Sequence, residues 1–459
     1  MSVCTELTAP DLMAGVLHRQ RTRESSARTY ARSFPIVPVR AQGITVEGAD
    51  GRRYLDCLCG AGTLALGHNH PVVVAAVRRV LDSGAPLHTL DIATAEKDEF
   101  VSTLFDTLPA ELARGARIHF CGPAGTDAVE AALKLAQTAT GRRGLLTFTG
   151  AYHGMTAGAL AVSGGVAVRE PLAAFTGEVT RLPYPYSYRC PFGVGGPQGA
   201  QLAAAYAERL LDDPHSGVVA PAAMILEVVQ GEGGVVPAPD EWLRAMRRIT
   251  AERGIPLIVD EVQTGVGRTG AFWAVEHSGV VPDILVLSKA IGGSLPLAVI
   301  VYREELDAWA PGAHTGTFRG NLLAMAAGAA TLRFVAAEGL DRRAAELGDR
   351  MLGQLRALQA EHPVIGDVRG RGLMIGVELV DPAADPDPCG ARPAAPDLAR
   401  RVREECLRRG LIVELGGRHD AVVRLLPPLT LTDEEAGAVL DRLADAVVAA
   451  EREHGRARP

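Results

Sequence analysis

Lysine is the charged residue that this sequence uses least. Only Lys97, Lys134 and Lys289 occur, and arginine supplies the other 44 of the 47 basic residues. Lys289 interrupts the apolar run "ILVLSKAIGGSLPLAV" (284–299), where burying an ammonium without a partner costs several kcal/mol. Lysine can lose its proton and act as an amine nucleophile, whereas arginine keeps its charge. The scarcity of lysine therefore predicts a chemical role for Lys289.

Cysteine is also scarce, and its pattern excludes a disulfide scaffold or a paired-cysteine metal site. The seven cysteines are odd in number and lack a second pair to match Cys57 and Cys59 in "CLCG". We read them as reduced thiols of a cytoplasmic protein, with no metal. A net charge of −7 with mixed signs does not indicate a basic surface that would bind nucleic acid or an anionic membrane. No targeting segment or membrane span is evident in the sequence.

Short apolar runs alternate with helical patterns through the middle of the chain, which predicts an α/β fold with a mostly parallel sheet. Helical patterns cover 127–138 and 240–253, and a long helical segment is expected over 322–361. "GITVEGADGRRYLDCLCG" predicts a hairpin with its turn at Ala49-Asp50-Gly51. The predicted strands of the sheet span 116–122, 144–150, 222–229, 255–262, 283–289 and 297–302.

The length of 459 residues favours one large and one smaller domain. We expect residues 71–335 to form the large domain, which would bind the cofactor, and residues 336–459 to form a smaller α+β domain. Residues 1–70 would form an N-terminal segment that packs against the small domain and a dimer partner. The Pro- and Asp-rich stretch 381–396 reads as a surface loop of the small domain.

Two of the predicted strands end in side chains that can carry charge. Asp260 ends the strand of "PLIVDEV", and Lys289 ends the strand of "LVLSK". Ligands of open α/β sheets bind beyond the carboxyl ends of the strands, so these residues are candidates for one site. A purely structural alternative also fits this pattern, because the two charges could simply pair with each other.

A third candidate part of this site is the turn "GPAGTD" (122–127). It leads into a segment with a clear helical pattern, with Thr126 or Asp127 as the predicted N-cap. Gly122 and Gly125 allow close backbone approach, and amides at a helix N-terminus suit a phosphate. A plain capped helix would explain this turn equally well. A phosphate cradle, a carboxylate and a reactive lysine together match the needs of pyridoxal 5′-phosphate.

The motifs make this correspondence specific. The sequence resembles the class III, or omega, aminotransferases of pyridoxal-phosphate fold type I over nearly its whole length. Within this group it is most similar to the diaminobutyrate:2-oxoglutarate aminotransferases, notably in "HFCGPAGTDAVEAALKLA" and the "PYPYSYRCPFG" loop. The other matching motifs are "GAYHG", "EVVQGEGG", "LIVDEVQTGVGRTG", "LSKAIGG", "GTFRGN" and "RLLPPLTLT".

The resemblance implies a role for each matching position. Lys289 would bind the cofactor covalently and then shuttle the proton, and Asp260 would hold the pyridine nitrogen. Gln263 would hydrogen-bond the phenolic oxygen, and Tyr152 of "GAYHG" would stack on the ring. Without the motif, Tyr152 would be read as a packed core tyrosine.

The cofactor phosphate would be held by Gly125 and Thr126, with help from Thr317 of "GTFRGN" in the neighbouring subunit. That contribution implies a homodimer with shared sites, or a larger assembly of such dimers. These three positions are carried over from the family, and the turn itself predicts only an anion site.

Two further positions address the substrates. Arg424 in "VVRLLPP" resembles the arginine that grips the α-carboxylate of 2-oxoglutarate or glutamate, although a structural ion pair would fit it equally well. Glu232 in "QGEGG" resembles the glutamate that masks this arginine while the amino donor is bound. Glu227 lies near the cofactor in this family and has no assigned role here.

The implied activity is ping-pong transfer of a terminal amino group from L-2,4-diaminobutyrate, giving aspartate 4-semialdehyde, to 2-oxoglutarate. Ornithine, 4-aminobutyrate or a related ω-amine remains an alternative donor. An aminomutase or racemase of the same fold would not need Arg424 with Glu232. A non-catalytic cofactor-binding regulator is a further alternative, and the intact set of lysine, acid and phosphate turn disfavours it.

Overall fold

A computed structural model describes residues 9–171 and 177–456. Cys4 lies outside the described residues, and the other six cysteines are free thiols. The strands are β1 (Pro38–Gln42), β2 (Thr45–Gly48), β3 (Arg53–Asp56), β4 (Ala116–Phe120), β5 (Leu145–Phe148), β6 (Val179–Leu182), β7 (Ala223–Glu227), β8 (Val229–Gln230), β9 (Val236–Pro237), β10 (Leu257–Asp260), β11 (Ile284–Leu287), β12 (Val299–Arg303), β13 (Ile365–Arg371), β14 (Met374–Leu379), β15 (Leu411–Ile412), β16 (Glu414–Gly416) and β17 (Val422–Leu425).

The helices surround these strands. They are α1 (Ala9–Arg23), α2 (Tyr30–Ser33), α3 (Pro71–Ser83), α4 (Ala95–Thr107), α5 (Ala110–Ala113), α6 (Gly125–Thr140), α7 (Ala157–Val162), α8 (Val166–Arg169), α9 (Gly196–Asp212), α10 (Asp240–Glu252), α11 (Leu322–Ala337), α12 (Leu340–Glu361), α13 (Pro396–Arg408) and α14 (Asp433–Arg456). The predicted helices over 127–138 and 240–253 correspond to α6 and α10 and are confirmed.

The largest sheet has the strand order β4-β12-β11-β10-β7-β5-β6. Strands β11, β10, β7, β5 and β6 run parallel, whereas β12 is antiparallel to both of its neighbours. The strands β5, β7, β10 and β11 are buried at every residue, which explains why they read as continuous apolar runs. All six predicted strands are confirmed. Edge strand β6 was not predicted, because its sequence "VTRL" carries little apolar signal.

One smaller sheet joins the two ends of the chain, and another is formed by C-terminal strands alone. The predicted hairpin is confirmed as β2 and β3, and β3 continues into a parallel pairing with β15 from the C-terminal part. A second sheet has the antiparallel order β13-β14-β17-β16 and packs against α12 and α13. The domain limits at residues 70 and 335 stay a prediction.

The helical segment expected over 322–361 is two helices, and the expectation of one continuous stretch was wrong. Gly339 adopts a left-handed conformation with φ of +60°, which ends α11 and opens α12. The helices bend by 65° at this break. Within 9–171 and 177–456, no single helix is long and apolar enough to cross a membrane, and only this bent pair passes by length and composition.

Candidate active site

A cavity of about 270 Å³ lies at the carboxyl ends of β7, β10 and β11. This is the edge of the sheet at which the sequence predicted a site. The residues that line the cavity include Gly125, Thr126, Tyr152, His153, Glu227, Glu232, Asp260, Gln263 and Lys289. Residues that are far apart in the sequence therefore meet around one cavity.

Lys289 follows β11 and begins a short 3-10 turn that ends at Gly292. Its φ of +51° is left-handed, an uncommon and strained conformation for a side chain other than glycine. No hydrogen bond or ion pair from the described residues reaches its amine. Burial lowers the pKa of Lys289, and the charges of Glu232 and Asp260 oppose this shift. A larger fraction of the amine is therefore deprotonated in this site than it would be in water.

Asp260 does not pair with Lys289, so the structural alternative considered for these two residues is not what the structure forms. Its carboxylate instead accepts hydrogen bonds from the Val262 backbone N–H at 3.0 Å and contacts His153 Nδ1 at 2.8 Å. Burial lowers the pKa of His153, but the hydrogen bond and charge of Asp260 outweigh burial and raise it overall. The buried acid therefore has a basic partner other than Lys289.

His153 was missed at the sequence level, although it stands beside Tyr152 in the quoted motif "GAYHG". Its side chain is fully buried, and its Nε2 has no hydrogen-bond partner among the described residues. The signal was therefore present in the motif, but the partner, Asp260, is 107 residues away in the sequence.

Glu227 ends β7, directly beside Asp260 in the parallel register of β7 and β10. Its carboxylate accepts hydrogen bonds from the backbone N–H groups of Tyr152 at 2.9 Å and Gly231 at 3.1 Å. Burial raises the pKa of Glu227 to about 7, with Asp260 adding to the shift. Glu227 thus fixes two loops that carry cavity residues, a function that sequence reasoning did not assign.

Gly125 and Thr126 open helix α6 at the cavity. The predicted N-cap was wrong, because the cap is Ala124, whose N–H donates to the Asp127 carboxylate at 3.0 Å. A Cβ on residue 125 would lie only 3.0 Å from Val262 Cγ1, so glycine lets the turn pack against the strand end. Asp127 N–H donates to the Ala124 carbonyl oxygen at 2.9 Å, and the earlier N–H groups of a helix lack partners within it and can bind an anion.

Tyr152 and Gln263 present polar and aromatic surface to the same cavity. Tyr152 is 41% exposed although it lines a cavity, so its ring has room for a planar ligand. The Gln263 amide donates to the Ala61 carbonyl oxygen at 3.1 Å, while its Oε1 is buried without a hydrogen-bond partner among the described residues. An unpartnered buried polar atom is destabilising unless a ligand satisfies it.

Arg424 on β17 lies behind Glu232 and is fully buried. Its Nη1 and Nη2 donate to Glu232 Oε1 and Oε2 at 2.8 and 2.9 Å, a bidentate contact. Glu232 and Arg424 are therefore in contact, as the resemblance implies, and Glu232 lies between Arg424 and the cavity. Glu414, directly opposite Arg424 on β16, is a second carboxylate at 2.8 Å that sequence reasoning missed.

Thr317 is exposed in a short 3-10 turn, Thr317–Gly320, and is not among the residues that line this cavity within the described chain. Its predicted contribution was to a neighbouring subunit, and that role stays a prediction.

The aminotransferase class-III family model matches residues 26–447. The chain belongs to the class-III aminotransferase family. It is 56% identical to a diaminobutyrate--2-oxoglutarate aminotransferase of Rhizobium meliloti, over 96% of this chain and 93% of the relative. A protein of the same name from Haemophilus influenzae is 48% identical, over 94% of each chain.

The fold agrees with this family. An amine transaminase from an uncultivated Pseudomonas species, solved in its PLP-bound form, superimposes with a TM-score of 0.83. It is 32% identical, and the match covers 93% of this chain and 98% of the other. The predicted class-III aminotransferase fold, fold type I, is confirmed.

Proposed function

We propose that this class-III aminotransferase uses pyridoxal 5′-phosphate to move the terminal amino group of L-2,4-diaminobutyrate to 2-oxoglutarate. The products are aspartate 4-semialdehyde and glutamate. The observation that carries the proposal is the unpartnered amine of Lys289 in the same cavity as the Asp260–His153 pair. The names of its relatives in Rhizobium and Haemophilus support this choice of substrates.

The residues of the cavity fit this cofactor. The first turn of α6 offers backbone N–H groups to a phosphate. The Thr126 hydroxyl lies in the same turn and contacts Thr156 Oγ1 at 2.6 Å, so it would exchange that contact for the phosphate. Asp260 uses its carboxylate on His153 and Val262 and has lone pairs left to accept a hydrogen bond from a protonated ring nitrogen. The exposed ring of Tyr152 and the unpartnered amide oxygen of Gln263 complete the set.

When bound, pyridoxal phosphate would supply an electron sink for the C–H bond of the substrate and a carrier for the amino group. Asp260 would hold the protonated ring nitrogen, and His153 holds Asp260 in place and stabilises its negative charge. The amine of Lys289 would hold the cofactor in the resting enzyme and, when free, would take the proton from the substrate carbon as a general base.

Glu232 and Arg424 give the cavity two charge states in this proposal. With Arg424 bound by Glu232, the cavity receives the terminal amine of the donor. When Glu232 turns away, the guanidinium can bind the α-carboxylate of 2-oxoglutarate in the same bidentate way. The 35% exposure of the Glu232 side chain, against full burial of Arg424, supports Glu232 as the partner that moves.

The donor is tested by supplying purified, cofactor-loaded enzyme with 2-oxoglutarate and a panel of ω-amines and measuring glutamate. We expect kcat/KM for diaminobutyrate to exceed that for ornithine and 4-aminobutyrate by at least about tenfold. Ornithine has one extra methylene and 4-aminobutyrate lacks the α-amino group, and a matched pocket discriminates by at least that much against either change. A higher kcat/KM for ornithine or 4-aminobutyrate would transfer the proposal to that donor. Isomerisation or racemisation without glutamate formation would reject transamination.

Replacement of Arg424 should affect the two half-reactions differently. A charge-assisted bidentate contact is worth roughly 1.5–3 kcal/mol, so Arg424→Ala should slow the 2-oxoglutarate half-reaction by about 10- to 150-fold. The half-reaction with diaminobutyrate should change much less. Glu232→Ala should instead let α-amines compete with terminal amines. Single-turnover absorbance changes of the cofactor measure each half-reaction separately.

Arg424→Lys is the matched control for this experiment. It keeps a cation between Glu232 and Glu414, so the two carboxylates are not left without a positive partner, but it removes the planar fork. It should still slow the 2-oxoglutarate half-reaction selectively. Equal slowing of both half-reactions in both variants would make Arg424 a structural residue.

The proposal includes a homodimer in which Thr317 of the partner subunit helps to hold the phosphate. Thr317 is exposed on the single chain and does not line the cavity of its own chain, which supports that assignment. A cytoplasmic location is also proposed, supported by the six described cysteines, which are free thiols.

A further inference from the structure

A second cavity, of about 380 Å³, lies next to the cavity that contains Asp260 and Lys289, which we call the reaction cavity. Glu232 lines both cavities. We call the second cavity the outer cavity. Its walls carry opposite charges, with Glu414 and Asp420 on one hand and Arg400 and Arg403 on the other. The remaining lining residues include Thr29, Tyr30, Ser33, Phe34 and His419. A cavity with both charges suits a zwitterion better than a simple anion or cation.

Glu414 supplies an acceptor to the outer cavity. Its Oε1 accepts a hydrogen bond from the Tyr30 hydroxyl at 2.6 Å, which fixes the carboxylate. Its Oε2 lies 2.8 Å from Arg424 Nη2 but is not aligned with it for a hydrogen bond and has no other partner among the described residues. The residue is only 7% exposed. Arg424 balances the charge of this oxygen, and a carboxylate oxygen has a second lone pair that can accept a hydrogen bond from a ligand.

Arg403 supplies a donor to the same cavity from helix α13. Its Nε is buried and has no hydrogen-bond partner among the described residues. Burial lowers the pKa of Arg403, the charges of Glu404 and Asp420 oppose this shift, and Arg400 adds to it. The walls of the outer cavity therefore carry a carboxylate that is ion-paired with Arg424 but can accept a further hydrogen bond, and a guanidinium whose Nε has no partner among the described residues.

We propose that the outer cavity binds the α-amino-acid end of the donor. Glu414 accepts a hydrogen bond from the α-ammonium, and Arg403 donates one to the α-carboxylate. The terminal amine then reaches past Glu232 to the reaction cavity, because Glu232 lines both spaces. This inference rests on the proposed function, and it names the residues that select the donor.

The assignment explains how the enzyme would separate two similar amines. Diaminobutyrate and 4-aminobutyrate share a terminal amine and a carboxylate at the same distance, and only the first has an α-ammonium. A site built to hydrogen-bond a substrate N–H rejects the analogue that lacks it, since its buried acceptor is then left unpaired. Glu414 is therefore the residue that selects for an α-amino group.

The test compares three donors in cofactor-loaded enzyme: diaminobutyrate, 4-aminobutyrate, which lacks the α-ammonium, and 1,3-diaminopropane, which lacks the carboxylate. Glu414→Gln should lower kcat/KM by about 10- to 100-fold for the two diamines and by less than about twofold for 4-aminobutyrate. Arg403→Gln should lower it for the two amines that have a carboxylate and spare 1,3-diaminopropane. Where an amine is not turned over, its inhibition constant against diaminobutyrate is compared instead.

The controls are Glu346→Gln and Arg356→Gln, which change exposed side chains on α12. Equal losses on all three amines in Glu414→Gln would overturn the proposal and make Glu414 structural.

If the analogues bind too weakly to measure, the half-reactions of Glu414→Gln with diaminobutyrate and with 2-oxoglutarate are compared instead. Slowing of the diaminobutyrate half-reaction alone supports the proposal, and equal slowing of both contradicts it. If the wild-type enzyme transfers no amino group from diaminobutyrate, the proposed function itself fails.

Discussion

Lys289→Ala should lower amino transfer by at least about 100- to 10,000-fold, since removal of a general base alone has an effect of that size. The amine has no partner in the described chain, so its loss leaves no buried charge unpaired. Alanine retains the φ of +51°, with no larger strain than lysine has there. The variant should therefore fold and can still hold the cofactor non-covalently through α6 and Asp260. Turnover and cofactor absorbance measure both effects.

Lys134→Ala is the matched control, because Lys134 bonds only the Ala313 carbonyl oxygen at the exposed outer side of α6. It should retain full activity. Borohydride reduction of loaded wild-type enzyme followed by peptide mapping should place the label on Lys289. A label on Lys97 or Lys134 would show that the reactive lysine has been assigned wrongly.

Asp260→Asn should reduce turnover by about 100-fold or more with the cofactor at saturation. Asparagine keeps the shape of the side chain but removes the charge that would hold the ring nitrogen protonated, and each unit by which a pKa moves is worth about 1.4 kcal/mol. The pKa of His153 should fall in the same variant, because burial would then act without the opposing charge. Nitrogen-15 NMR of His153 as a function of pH measures this second effect.

Asp283→Asn is the control for that experiment. Asp283 lies at the opposite end of β11, where it pairs with Arg247 at 2.7 Å, and it is also largely buried. It should retain its turnover per loaded site and leave the titration of His153 unchanged. Near-wild-type turnover of Asp260→Asn at cofactor saturation would remove Asp260 from the proposed mechanism.

The positions of Asp260 and Lys289 could be predicted from sequence because of how parallel sheets are built. Strands β10 and β11 are buried on both faces, so they read as unbroken apolar runs whose end is marked by a residue that can carry charge. Because parallel strands end at the same edge, the two side chains had to approach each other. The helix at 125–140 was equally readable from its periodicity.

Contacts between distant, individually ordinary residues could not be predicted in this way. Glu414 and Tyr30 lie in segments with no recognisable motif, and their contact spans 384 positions of the chain. Nothing in the local pattern of "LIVELGG" distinguishes Glu414 from a surface carboxylate on a strand. The break at Gly339 was missed for a different reason, because both flanking segments favour a helix and one glycine decides the path.

The pairing of β3 with β15 and the contact of Tyr30 with Glu414 also bear on how the chain is made by the ribosome. At synthesis rates of about 5–20 residues per second, Glu414 leaves the peptidyl transferase centre roughly 20–80 s after Tyr30. During that time the β3 edge that later binds Leu411–Ile412 has no strand to pair with. Unpaired strand edges promote association between nascent chains. The early hairpin of this enzyme therefore stays open to such association until Leu411–Ile412 has been synthesised.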